Sequence, residues 1–134
     1  MNIGAGIYGI LSGDATLTAI VSTRIYPDVA PQNADNPCIV FSEQTGEFSD
    51  THDGGSHLDT NLAQIDIYTA TITDRTTLSD RVRTLLDRYS GTVNSVVIQS
   101  MQLVYSFSTV EPQFDDNAKK VYRQTMDFRV RQRV

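Results

Sequence analysis

Between Thr73 and Tyr89 the apolar residues Leu78, Val82, Leu85, Leu86 and Tyr89 recur at i, i+4, i+7, i+8 and i+11, the stripe of a helix buried on one side. Arg75, Asp80, Arg81, Arg83 and Asp87 fall mainly outside that stripe, Thr73 is placed to cap it, and Gly91 to stop it. On both flanks the period changes to two. In Leu62–Thr71, Ala63, Ile65 and Ile67 alternate with Gln64, Asp66 and Tyr68. In Val121–Val130, Tyr122, Met126, Phe128 and Val130 lie largely opposite Arg123, Asp127, Arg129 and Arg131. A helix with one apolar stripe needs a sheet with one apolar face, which places the chain in the α+β class.

The other segments extend this outline. Ile3, Ile7, Ile10 and Leu11 form one face of a short helix ended by Ser12-Gly13, and Asp14 is set to cap a second with Leu17, Ile20 and Val21 buried. Arg24–Tyr26 is a brief extended piece, and three prolines between Pro27 and Pro37 make a loop. Cys38–Thr45 reads as a strand, and Val93–Phe107, rich in β-branched residues, as another joined to the last across Glu111–Lys120. Glu47–Thr60, polar and glycine-bearing, reads as a long mobile loop or hairpin tip. The expected fold is thus a mostly antiparallel sheet packed against one long helix, with two short N-terminal helices and a long polar hairpin loop. At 134 residues the chain is expected to be one domain, 1–134.

Charge is distributed unevenly. Residues 1–67 hold nine acids and one basic residue, and residues 68–134 hold seven acids and ten basic residues, giving −8 and +3. A net charge of −5 argues against specific nucleic-acid binding, which needs clustered Lys and Arg. Unlike halves suit head-to-tail self-association. The first 23 residues carry no Lys or Arg, and no apolar run approaches the ~20 residues that span a bilayer, so a cytosolic setting without membrane partners is expected.

The chemical candidates are weak. Gly4, Gly6 and Gly9 spell G-x-G-x-x-G, with Asp28 at the distance of a ribose-binding acid, but only three residues precede Gly4, too few for the strand a dinucleotide cradle requires. His52 and His57, with Asp50, Asp53 and Asp59, have metal-ligand chemistry without a metal-ligand spacing. Cys38 sits in an apolar run and reads as a small buried hydrophobe. No catalytic group, cofactor or metal is therefore expected. Arg129, Arg131 and Arg133 share one face of an extended strand, a stripe suited to docking an acidic surface.

Four blocks in order, RIYPDVAPQNADNPCIVF, AQIDIYT, RVRTLLDRYSG and YRQTMDFRVRQ, resemble the tail completion or tail terminator family of long-tailed, non-contractile bacteriophages and prophages. The resemblance implies a virion assembly protein, not an enzyme, made in the host cytoplasm. It closes into a homo-oligomeric ring, typically hexameric, on the head-proximal end of the tail tube. There it stops tube growth and meets the head-completion protein. On this reading acids such as Glu43, Glu47 or Asp66 approach Arg123, Arg129 or Arg131 of the next copy, and Arg133 belongs with Arg129 and Arg131 to the interface stripe. The segment with Asp50, His52, Asp53, His57 and Asp59 lies at a rim or the lumen, through which DNA passes without being bound. The alternatives are a head-side connector component and, in another class, a small cytosolic enzyme or ligand-binding module with a pocket between helix and sheet.

Overall fold

The computed structural model describes residues 3–31, 37–51, 54–112 and 120–133, with the side chains of 44–51, 54–59, 111, 112, 120 and 133 excepted. Its order is α1 (Ile3–Ser12), α2 (Ala15–Val21), β1 (Ile25–Pro27), β2 (Cys38–Thr51), β3 (Gly54–Thr69), α3 (Ile72–Leu86), β4 (Gly91–Val93), β5 (Val96–Pro112) and β6 (Lys120–Arg133). The six strands form one sheet in the order β1-β2-β3-β6-β5-β4. All neighbours are antiparallel except β1 and β2, which run parallel, so the sheet is mixed. The class is α+β, as expected.

The helices lie on one face of the sheet. Ile3, Ile7 and Leu11 of α1, Leu17 and Val21 of α2, and Leu78, Val82 and Leu86 of α3 meet Ile39 and Phe41 of β2. They also meet Ala63, Ile65 and Ile67 of β3, Val96, Ile98 and Met101 of β5, and Met126, Phe128 and Val130 of β6. The cover expected from one long helix is thus shared by three, of 10, 7 and 15 residues. A single helix covers about 10 Å of sheet width; α3 packs over β3, β6 and β5, α1 reaches β1 and β2 on one side and β4 and β5 on the other, and α2 bridges α1 and α3. Asp14 caps α2 as the sequence indicates, accepting from Leu17 N at 3.0 Å. It also takes a two-pronged contact from Arg81 of α3, at 3.0 Å to Nε and 2.6 Å to Nη2. One carboxylate thereby fixes α2 against α3.

Several boundaries differ from the sequence reading. Thr71, not Thr73, caps α3 through Asp74 N at 3.1 Å, and the helix ends at Leu86, before Gly91, with Arg88 at φ 66° turning the chain into a bond from its amide to Met101 O. Periodicity marks the buried stripe of a helix but not which of two nearby hydroxyls closes its first turn. The run Val93–Phe107 is not one strand: Asn94 and Ser95, both at positive φ, form a two-residue hairpin turn between β4 and β5. The largest correction concerns Glu47–Thr60. β2 continues to Thr51 and β3 starts at Gly54, and they pair as far as Thr51 with Gly54, so all of this segment but 52 and 53, which lie outside the described residues, is strand. Its polar, glycine-bearing composition resembles a loop, but its backbone continues the β2–β3 ladder.

The three glycines near the start lie in α1, a helix with no strand before them among the described residues. A Cβ at Gly6 would sit in ordinary contact with Val96 and Ile98, at 3.4–3.5 Å, whereas one at Gly9 would fall 2.5 Å from Val93 Cγ1 and 2.6 Å from Asn94 Nδ2. Gly9 therefore lets α1 rest on the β4–β5 turn, where Asn94 Nδ2 donates to Ala5 O. Gly6→Ala is expected to be neutral or to stabilise by up to ~1 kcal/mol, since the helix gains propensity without a clash. Gly9→Val is expected to cost about 2 kcal/mol through overpacking. Urea midpoints of the two variants against wild type check this contrast.

Candidate interaction site

Side chains that alternate away from the helices form a second face of the sheet, over which no helix packs among the described residues. Cross-strand register fixes their rows: Cys38, Tyr68, Arg123 and Thr109; Val40, Asp66, Thr125 and Phe107; Ser42, Gln64, Asp127 and Tyr105. Next along the strands come Leu62, Arg129 and Gln102, then Thr60, Arg131 and Ser100.

Asp66 is the centre of this face and is only 7% exposed. Its Oδ1 accepts from Thr125 Oγ1 at 2.6 Å and from Arg123 Nη2 at 3.1 Å, and its Oδ2 accepts from Gln64 Nε2 at 2.8 Å. The Arg123 guanidinium also lies 5.4 Å above the Tyr68 ring. Two of the residues assigned from sequence to contacts between copies, Asp66 and Arg123, therefore meet inside one chain. Asp127, one row away, has a buried Oδ1 with no hydrogen-bond donor. Burial, and then the charge of Asp66, push its carboxyl above the ordinary carboxylate range. The opposite holds for Asp14: the Arg81 guanidinium beside it holds that carboxyl below its ordinary value, against a smaller effect of burial. Asp14 thus contributes stability that is lost as pH falls through its lowered folded value. Asp127, whose folded value is raised, binds its proton more tightly in the native state, and acidification through that range relieves it. Asp127→Asn is expected to raise the unfolding midpoint at pH 7, with the gain shrinking toward pH 4, as read by thermal melts across pH.

Of the remaining residues singled out from sequence, Glu43, Arg129 and Arg131 are exposed, the two arginines on the uncovered face as strand alternation requires. The backbones of Glu47 and Asp50 lie in β2, those of His57 and Asp59 in β3, and that of Arg133 in β6, while their side chains lie outside the described residues. His52 and Asp53 lie outside them altogether. Among the described side chains the assigned residues do not form one cluster. Register separates them into Asp66 with Arg123 at mid-sheet and Arg129 with Arg131 toward the β2–β3 tip.

Sequence reasoning missed Asp127 as a strained carboxylate. The available signal was parity, because Gln64, Asp66 and Asp127 belong to one face of paired alternating strands, but the pairing of β3 with β6 had to be known first. It also missed the exposed aromatic pair Tyr105 and Phe107, whose rings lie 5.4 Å apart on the same face. A groove of about 440 Å³ between α1, β1 and β2 is lined by Tyr8, Asp28, Phe41, Ser42 and Glu43 among others. The Cys38 thiol is buried, and burial pushes its pKa up, leaving it a poor nucleophile. Among the described residues no group of three His, Cys, Asp or Glu is placed to hold a metal ion, and no single helix is long and apolar enough to cross a membrane.

The two hairpins project from opposite ends of the sheet. β6 runs alongside β3 from Leu58, opposite Arg133, to Thr69, opposite Tyr122, so the β2–β3 tip lies at one end and the β5–β6 connection at the other. Comparison with known proteins gives this arrangement a context. No curated protein sequence matches the chain significantly. A solved structure described as the virion of a native gene transfer agent particle contains a chain similar to this one, with a TM-score of 0.70 at 17% identity over 96% of this chain and 92% of that chain. At that identity the likeness concerns the fold. The sequence also matches the family described as Tail completion protein gp17 over residues 5–133, nearly its full length. The chain therefore belongs to the phage tail completion protein gp17 family.

Proposed function

We propose that the chain, acting as one domain, is the subunit of a homo-oligomeric ring that caps the head-proximal end of a phage tail tube. The ring ends polymerisation of the tube protein and offers its other rim to the head-completion protein, so that the subunit works by contact and not by catalysis. The observation that carries this reading beyond the family is the pair of hairpins at opposite ends of one rigid sheet. A part that joins two different structures needs two differently placed contact surfaces, and a ring supplies each of them as a circle of identical tips. The virion setting of the structurally similar chain points the same way.

In this ring Glu43 and Glu47 belong to contacts between copies, and Arg129, Arg131 and Arg133 to docking of an acidic surface of a neighbouring component. The β2–β3 tip, with Asp50, His52, Asp53, His57 and Asp59, faces a rim or the lumen. A lumen rich in carboxylates repels DNA phosphates and lets the duplex slide.

Electron microscopy of the protein mixed with tube subunits tests the reading directly. Tubes ending in a ring at one end, and shorter on average as the protein is added, are the expected result; tubes of unchanged length with bare ends would refute it. Light scattering adds a mass of about 89 kDa for six copies of 14.9 kDa where the ring forms in solution. Charge reversal at Arg129 and Arg131 together is expected to weaken attachment most at low salt, because screening already reduces surface attraction at high salt. Equal attachment at all salt concentrations would remove those arginines from the interface.

A further inference from the structure

The sheet has two open edges, and they match. β1 covers β2 only at Ile39–Phe41, and β4 covers β5 only at Val96–Ile98. β5 beyond Leu103 is an exposed edge with Val104, Tyr105, Phe107 and Val110 at 40%, 58%, 39% and 47% exposure. A long apolar edge left open invites pairing with another chain.

The direction of each peptide unit follows from bonds already made. Met101 O accepts from the Arg88 amide and Leu103 N donates to Asp87 Oδ1, so these residues turn their polar groups away from β6. The register shift between Leu103 and Tyr105 moves the outward positions to Ser106, Ser108 and Val110. On the other edge, Ile39 N donates to Arg24 O and Phe41 O accepts from Asp28 N, so outward positions continue at Glu43. The shift between Glu43 and Thr45 then moves them to Gly46 and Phe48.

We propose that the outer edge of β5 in one copy pairs with the outer edge of β2 in the next, joining the sheets of the ring into one continuous antiparallel ladder. The joint requires a ring of copies, as proposed above, and specifies how they meet. Three observations select a second copy as the occupant. First, β2 and β5 run in opposite directions within the sheet, so head-to-tail repetition brings them together antiparallel, as every long strand pair here already is.

Second, setting Ser108 against Gly46 also sets Ser106 against Phe48, and all four peptide units point into the joint. In that register β1 of one copy and β4 of the other lie beyond opposite ends of the new ladder and do not obstruct it. Ser108 and Gly46 are level with Ile67 and Asn61, six residues apart along β3. That is an offset of about 20 Å across four strand spacings of roughly 19 Å in all, hence a strand tilt of about 45°, close to the range that closed barrels adopt.

Third, the edges are complementary in charge. Arg75, whose Nη1 donates to Thr109 O at 3.3 Å on the helix side of β5, has no carboxylate partner among the described residues. The exposed Glu43, on the same side of β2, has no cationic partner among the described residues. The proposed register brings Glu43 of the next copy beside Arg75.

Proline at Ser108 removes an outward N–H without touching the ladder to β6, while alanine there removes only the hydroxyl that bonds Gln124 Oε1 at 2.6 Å. Circular dichroism and light scattering on Ser108→Pro are expected to show a folded chain whose self-association is weakened about 10-fold or more, with Ser108→Ala still forming rings. Glu43→Arg and Arg75→Glu are each expected to weaken the ring, and the double swap to restore it. This swap decides the matter should Ser108→Pro fail to fold. Wild-type rings together with undiminished assembly of a folded Ser108→Pro, or a double swap no better than the single variants, would overturn the edge joint while leaving the ring intact. A wild-type chain that stays monomeric both alone and on tubes would overturn the ring and the joint with it.

Discussion

Phe128→Ala is expected to lower stability by about 4 kcal/mol, the largest loss available from a single core truncation here. The side chain is fully buried at the centre of the helix-facing layer, opposite Ala63 on one neighbouring strand and Leu103 on the other. Ala63 is too small to fill the space from one side and Leu103, across from it on the other, fills at most part of it, so much of the cavity stays open. A domain of ordinary stability has only about 5–15 kcal/mol in total, so the variant sits near the unfolding threshold at 37 °C. A melting temperature lower by on the order of 12 °C is the expected reading. Phe128→Leu, which keeps most of the volume, is expected to cost about 1.5 kcal/mol. Equal losses for the two would show that the site collapses freely and that its packing is not the source of the effect.

Asp66→Ala is the second large effect, at about 3 kcal/mol, and it arises from polar groups. Removing the carboxylate leaves the Thr125 hydroxyl, the Gln64 amide and the Arg123 guanidinium without the acceptor they share. Its signature is non-additivity. Asp66→Ala with Arg123→Ala is expected to cost at least about 1 kcal/mol less than the sum of the single changes, because each single change breaks the same contact between the two groups. Strict additivity in denaturant titrations would mean that Asp66 and Arg123 are merely adjacent. The loss is partly offset at Asp127, whose carboxyl is raised in part by the charge of Asp66. Loss of Asp66 is therefore expected to bring the Asp127 titration, followed by carboxyl NMR, back toward its ordinary range.

These two residues also show how unevenly the molecule could be read from its sequence. Phe128 was assignable to the core because Met126, Phe128 and Val130 alternate with charged neighbours, and alternation alone identifies the buried face of a strand. The α3 stripe and the Asp14 cap were legible for the same reason: each is a local pattern whose consequence stays within a few residues. Asp66 was legible only as a polar residue on the opposite face. Its binding to Arg123, 57 positions away, follows from β3 lying beside β6, and nothing between residues 66 and 123 specifies that neighbour. The candidate interface divides along the same line. The exposure of Arg129 and Arg131 followed from strand alternation, whereas the withdrawal of Asp66 and Arg123 into an internal pair did not.

The sequence by itself determined the class of the fold, the faces of its main strands and long helix, the cap of α2 and the family. All of these depend on periods and spacings that neighbouring residues enforce through backbone geometry. Only the tertiary structure decided that the polar stretch after Glu47 is a strand pair, that three helices share the cover, that β1 runs parallel to β2, and that the hairpins and open edges face opposite ways. Those features depend on which distant segments lie side by side, and that choice belongs to the burial of the whole core at once, a quantity no local window contains.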